Sequence, residues 1–243
     1  MKITFLGTRG NIDAKNRRHK RHTVTVISYK GTCVAIDWGR DWHNKIHKYN
    51  LDAVVITHIH PDHIDGLKDG VPCPVYATKE SWLHMNRFAI KEKKIIKPRK
   101  PFVIGSLTFE AFLVVHTLSA PAVGYRVSAD GVTIFCVHDL ISIPQQHKAL
   151  SGIQLYIGDG ASINRPIIRR KDDKLFGHTT IRAQLGWCQK EKVSHAIFTH
   201  CGSQIVEGDE RTLGALVREL GNQRGVDARI SYDGLIITMV RPR

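Results

Sequence analysis

Thr57-His58-Ile59-His60-Pro61-Asp62-His63-Ile64-Asp65-Gly66 follows directly on the apolar run Leu51 to Ile56. Four side chains of metal-ligand type therefore fall within six positions at the end of one strand. In an extended segment His58 and His60 point to the same side, and the turn begun by Pro61 swings Asp62 and His63 back beside them. Other strand ends offer more ligands of the same kind: His116 after Phe109 to Val115, Asp139 after Val132 to Val137, and His200 after Ala196 to Thr199. A lone histidine is usually structural, but this many at strand ends read as a metal constellation. Imidazole and carboxylate without thiolate suit zinc first, with manganese or iron as alternatives.

Outward from the motif, short apolar, β-branched runs predict strands at Lys2 to Leu6, Thr23 to Tyr29, Cys33 to Ile36 and Ala53 to Ile56. The second half adds Gln154 to Ile157, Ala196 to Phe198, and Ala228 to Ser231 with Leu235 to Val240, the last two read as a hairpin around Asp233-Gly234. Helical spacing marks Asp41 to Tyr49, Lys79 to Arg87, Thr180 to Lys190 and Glu207 to Asn222, with Thr179 or Thr180 capping the third. Each sheet must bury a face, so an α/β (α+β) chain of two mixed sheets packed face to face with helices outside is the simplest architecture. One domain spanning residues 1–243 is expected.

Composition narrows the class. With 42% apolar and 24% charged residues the chain is neither fibrous nor disordered. The net charge of +14 exceeds what solubility asks and favours polyanions or anionic substrates. Five cysteines, an odd number without a close pair, fit a reduced compartment. No signal-peptide pattern opens the sequence and no run reaches the ~20 apolar residues of a membrane span, so a cytoplasmic protein without membrane contact is expected. Nothing here sets the oligomeric state.

On His58-x-His60-x-Asp62-His63 and the distant His116, Asp139 and His200, the chain resembles the metallo-β-lactamase superfamily over nearly its whole length. That resemblance implies an αββα sandwich with a dinuclear site at one edge. By motif position, His58, His60 and His116 would hold one ion, Asp62, His63 and His200 the other, and Asp139 would bridge. His138 stands where a glycine is usual, and it competes with Asp139 as a ligand on this reading.

Three further motifs favour phosphodiesters over acyl substrates. Phe5-Leu6-Gly7-Thr8-Arg9-Gly10 is similar to the opening of the tRNA 3′-processing endonucleases and cyclic-phosphate phosphodiesterases, though a Gly-rich turn closing a strand explains it too. Gly177-His178-Thr179-Thr180 falls where those families carry a histidine that protonates the leaving oxygen, and Asp159 in Ile157-Gly158-Asp159-Gly160 would be its acidic partner. A helix cap and a turn cap are the structural alternatives for the two. Asp62 would also orient or deprotonate the nucleophile.

Three basic clusters accompany these motifs: Lys15, Arg17, Arg18, Lys20 and Arg21; Lys91, Lys93, Lys94, Lys97, Arg99 and Lys100; and Arg165, Arg169, Arg170, Lys171 and Lys174. The first is expected near the metal edge and the third beside the active site, while the second reads as solvated surface. No long Gly- and Pro-rich arm separates Gly66 from His116, and the N-terminal loop lacks cysteines for an extra zinc, so neither tRNA maturation nor a cyclic ribose phosphate is implied by the resemblance alone. The reading is a metal-dependent phosphodiesterase acting on nucleic acid or oligonucleotides. Its alternatives are a small-molecule cyclic-phosphate or nucleotide phosphodiesterase, a lactonase-type acyl hydrolase, and a nucleic-acid-binding module with a structural metal.

Overall fold

The computed structural model describes residues 1–241. The first half of the chain supplies β1 (Lys2–Gly7), β2 (Val24–Tyr29), β3 (Thr32–Ile36), β4 (Ala53–Val55), β5 (Val75–Thr78) and β6 (Lys93–Ile96), with helices α1 (Pro61–Ile64) and α2 (Lys79–His84). There follow β7 (Phe102–Ile104), β8 (Leu107–Val114), β9 (Ala122–Ala129), β10 (Val132–Cys136), α3 (Gln146–Leu150), β11 (Leu155–Asp159), β12 (Ile167–Lys171) and β13 (Lys174–His178). The chain ends with α4 (Ile181–Lys190), β14 (His195–Thr199), α5 (Ser203–Val206), α6 (Glu210–Asn222), β15 (Asp227–Ile230) and β16 (Leu235–Thr238).

Two seven-stranded sheets result, ordered β16-β1-β2-β3-β4-β5-β6 and β15-β14-β11-β10-β9-β8-β7, with β12 and β13 forming a separate ribbon. Each sheet is antiparallel on one side and parallel on the other, the parallel parts being β3-β4-β5-β6 and β10-β11-β14-β15. One apolar core lies between the sheets, where Phe5, Ile27 and Ile36 meet Phe109, Tyr125 and Ile157. A second packs α4 and α6 on the outer face of one sheet through Leu185, Val217 and Phe198, and a third covers the other with Trp38, Trp42 and Trp82. The architecture is the expected α/β sandwich of two mixed sheets with helices outside.

Three expectations change. Gly234, at φ +90, does turn the chain, but β15 joins one sheet beside β14 and β16 joins the other beside β1, so no hairpin forms. The stretch Asp41 to Tyr49 forms two single 3₁₀ turns, Arg40–Trp42 and Ile46–Lys48, broken by Asn44 at φ 56. His178 ends a strand, and the next helix starts at Thr180, whose hydroxyl accepts from Ala183 N.

Parallel strands expose their carboxyl ends at one sheet edge, where ligand sites of such sheets form. Asp37 follows β3, His58 follows β4, Asp139 follows β10, Asp159 ends β11 and His200 follows β14. The topology thus gathers at one edge residues scattered over more than 160 positions of sequence.

Candidate metal centre

His58, His60, His116 and Asp139 form one group of possible ligands, and Asp62, His63, Asp139 and His200 a second, with the ligand atoms of each within 4.8 Å of one another. Asp139 belongs to both. Its Oδ2 lies 3.3 Å from His58 Nε2 and from His116 Nε2 and 3.2 Å from His63 Nε2, while its Oδ1 lies 2.9 Å from His200 Nδ1. Asp62 Oδ2 is 3.1 Å from His63 Nε2 and 3.0 Å from His200 Nε2. All seven residues singled out in the sequence are therefore brought to one place.

Three of the imidazoles are oriented by hydrogen bonds on their far side. His58 Nδ1 donates to Thr57 Oγ1 at 3.0 Å, because that hydroxyl gives its own proton to Asp37. His63 Nδ1 donates to Asp37 Oδ2 at 2.7 Å, and His116 Nδ1 to the Gly177 carbonyl at 2.8 Å. Each leaves Nε2 turned into the cluster, the arrangement that fixes a ligand's tautomer.

Asp37 is the residue that sequence reasoning missed. It is wholly buried, and besides His63 it accepts from Thr57 N and Oγ1 and from His138 Nδ1, each at 2.7 Å. His138 is thereby bound to Asp37 and, through Nε2, to Thr25 at 3.1 Å, rather than competing with Asp139. The signal for Asp37 was faint: an aspartate ending a buried strand, followed by Trp38-Gly39. Gly39 matters too, since a Cβ there would stand 1.7 Å from Asp62 O.

Electrostatics agree with a site for cations. Burial, aided for His58 and His60 by neighbouring imidazoles, lowers His58, His60 and His116 to about 3, 4 and 3, so all are neutral with a free lone pair at pH 7. Burial also opposes charge on His63 and His200, but Asp62 and Asp139, with Asp37 for His63, outweigh it. His63 rises well above its ordinary value and His200 to about 10. Asp62 and Asp139 are held low in turn, against burial, by these imidazoles. Bound cations would take over this role and release the protons. Asp62 Oδ1, His63 Nε2, Asp139 Oδ1 and His200 Nδ1 are also buried without an aligned hydrogen-bond partner. The last three stand within 3.1 Å of an oppositely charged atom but out of line with it, a packing of lone pairs that fits residues arranged around positive charge.

Beside the cluster, His178 Nδ1 donates to Asp159 Oδ2 at 2.8 Å, leaving Nε2 as its free nitrogen. Asp159 is fully buried and also accepts from Leu140 N and Ala161 N. Burial pushes the His178 imidazole down, but Asp159, and less strongly Asp139, hold it above its ordinary value. Its ring stacks 5.5 Å from that of His200. A cavity of about 750 Å³ opens over these groups, lined by His60, Asp62, Asp139, His178 and His200 together with Gly10, Arg165, Ile167 and Arg169.

The basic clusters are placed unequally. The N-terminal loop reaches this cavity through Gly10, Asn11 and Ile12, while Asn16, Arg18 and His19 line a neighbouring one. Lys93 and Lys94 lie on β6, an edge strand away from the cavity. Such edge lysines blunt strand pairing with other chains.

Comparison with known proteins fits this geometry. A curated relative, Ribonuclease Z of Methanopyrus kandleri, is 29% identical over 142 residues, 51% of this chain and 49% of that protein; the chain spans about half the length of the relative. Zinc-bound PqqB of Methylobacterium extorquens superposes with a TM-score of 0.75 at 14% identity, covering 98% of this chain and 100% of that one. A diphosphatase of the PhnP family gives 0.74 at 20% identity, covering 99% and 98%. The sequence profile of the beta-lactamase superfamily domain matches residues 12–201, a span that holds the full ligand cluster, Asp159 and His178. The chain belongs to the beta-lactamase superfamily, a family of metal-dependent hydrolases.

Proposed function

We propose that the protein is a phosphodiesterase that holds two divalent cations, zinc first and manganese or iron as alternatives, and hydrolyses phosphodiester bonds in nucleic acid or oligonucleotides. The observation that carries this reading is the His178–Asp159 pair, which sets a carboxylate-backed proton donor beside the ligand cluster in a cavity shared with two arginines. Ribonuclease Z as a relative and a diphosphatase as a structural neighbour support phosphorus chemistry. His58, His60 and His116 would hold one ion, Asp62, His63 and His200 the other, with Asp139 between them. Bound there, the ions would supply an activated water and neutralise charge on the phosphate.

The chain's own groups do the rest. Asp62, whose Oδ1 is unpartnered, takes or orients the proton of the attacking water. Arg165, in the lining of the same cavity, binds the oxygens of the scissile phosphate. As the new P–O bond forms and the old one breaks, His178 Nε2–H gives its proton to the departing oxygen and regains one from solvent, while Asp159 steadies the imidazole.

The test compares a dinucleotide, bis-p-nitrophenyl phosphate and a lactone with zinc or manganese added, in the parent, Asp62→Ala and His178→Ala. Asp62→Ala should abolish turnover of both diesters. His178→Ala should slow the dinucleotide about 10²–10⁴-fold and the nitrophenyl ester much less, since nitrophenolate leaves without a proton. Lactone turnover indifferent to His178 would move the protein to acyl hydrolysis. Weak salt dependence of KM would favour a small phosphodiester over a polymer.

A further inference from the structure

The ribbon β12–β13 is registered so that Ile167 pairs with His178, Arg169 with Phe176, and Lys171 with Lys174. Side chains alternate across a strand, so these six share one face, and Ile168, Arg170 and Leu175 occupy the other. Ile167, Arg169 and His178 all line the cavity over the ligand cluster, which identifies the first face as the inward one. Along it an aromatic ring and an arginine stand one rung from His178, and two lysines one rung further. Rungs are ~6.8 Å apart, close to the span of one extended nucleotide.

The ribbon is fixed to the centre at its base. Gly177 N donates to His116 O at 2.8 Å, and the Gly177 carbonyl accepts from His116 Nδ1. Gly177 sits at φ +120, where a Cβ would meet Ile167 O at 2.0 Å, so only glycine lets the strands close here. Beyond that base, Arg169, Lys171 and Lys174 have no ion-pair partner among the described residues, and Phe176 is only half-buried.

The geometry points to this inward face as the binding track for a single-stranded nucleic acid segment beside the scissile phosphate. Phe176 stacks on the first flanking base, Arg169 holds the phosphate next to it, and Lys171 and Lys174 hold the following one. This assignment rests on the phosphodiesterase reading and names its substrate class. A ring on which a base must lie flat excludes a duplex, whose bases are already stacked.

The test measures fluorescence polarisation of a labelled 12-nucleotide phosphorothioate strand, and of the same sequence as a duplex, on zinc-loaded protein over a range of salt. Phe176→Ala and Phe176→Leu should each weaken single-strand binding about ten-fold, and Phe176→Trp should restore it. Arg169→Ala should flatten the plot of log affinity against log salt by about 0.7, whereas Arg170→Ala, its neighbour on the outward face, should change affinity less than about two-fold. Equal effects at 169 and 170, no effect at Phe176, or a duplex bound as tightly as the single strand would overturn the assignment. This binding pattern with no turnover of any diester would instead overturn the phosphodiesterase reading alone.

Discussion

Residues 9–23 and residues 165–178 are similarly rich in arginine and lysine, and both reach the cavity over the ligand cluster. The first segment uses much of its polar chemistry inside the protein. The Arg9 guanidinium bonds to Asp41 and to the Ile12 carbonyl. Asp233 accepts from Thr8 Oγ1, Lys20 N and Arg21 N, and the Asn16 carboxamide donates to Val206 O while capping Arg18 N and His19 N. Arg18 pairs with Glu210 at 2.9 Å and lies over the Tyr232 ring; Arg21 lies over Trp42. The second segment is held by its own ladder and by Gly177, with its charges facing solvent. Like composition thus gives a segment whose Arg9, Arg18 and Arg21 are engaged by internal partners in one place and a ribbon of exposed cations in the other.

Acid should separate the two regions most. Burial, with Arg18 beside it, lowers the His19 imidazole to about 4 from the 6.5 of an unfolded chain. The unfolded state then binds the extra proton between those values, so the stabilisation is full above pH 6.5 and is lost as pH falls towards 4. The loss is about 3 kcal/mol. The difference between the urea-unfolding free energies at pH 7 and pH 4 should shrink by about that amount in His19→Gln; an unchanged pH dependence would mean that the loop does not clamp His19.

Asp233→Ala strips three donors of their acceptor and should cost about 2–3 kcal/mol, lowering Tm by about 5–10 °C in a scanning experiment. In the ribbon, Gly177→Ala sets a Cβ 2.0 Å from Ile167 O at a φ that only glycine adopts, so the base of the ribbon must open and His178 shift; dinucleotide turnover should fall at least about ten-fold while Tm, set by the sandwich core, falls less than about 5 °C. The mildest case is Arg170→Ala with Lys171→Ala, which should leave Tm within about 2 °C because neither side chain has an ion-pair or hydrogen-bond partner among the described residues. A larger drop would show that the ribbon is held by more than its base.

The clustering of His58, His116, Asp139 and His200 was legible in sequence because each follows an apolar strand, a local pattern that strand pairing converts into proximity. The bracing was not legible. Asp37 lies 26 positions from His63 and 101 from His138, and its backbone reaches them only by adopting φ 63 after β3. Asp233-Gly234 failed as a hairpin for a related reason: a turn dipeptide specifies a reversal of chain, and which sheet receives each strand is decided by the core. β9 and β6 escaped notice because Gly124 and Arg126 interrupt one apolar pattern and Lys93-Lys94 opens the other. Charge clusters were visible as composition, but their division into paired and unpaired arginines needed the fold.

Gly177 joins the ligand cluster to the ribbon through one residue, its N–H and its carbonyl both bonded to His116 while its neighbours carry the two strands. Sites joined in this way obey reciprocity: if a strand on the ribbon steadies His116 and raises cation affinity by some factor, the cation raises affinity for the strand by the same factor. On the proposed function, nucleic acid and metal would then be mutual effectors, and cation affinity would report whether a strand is in place.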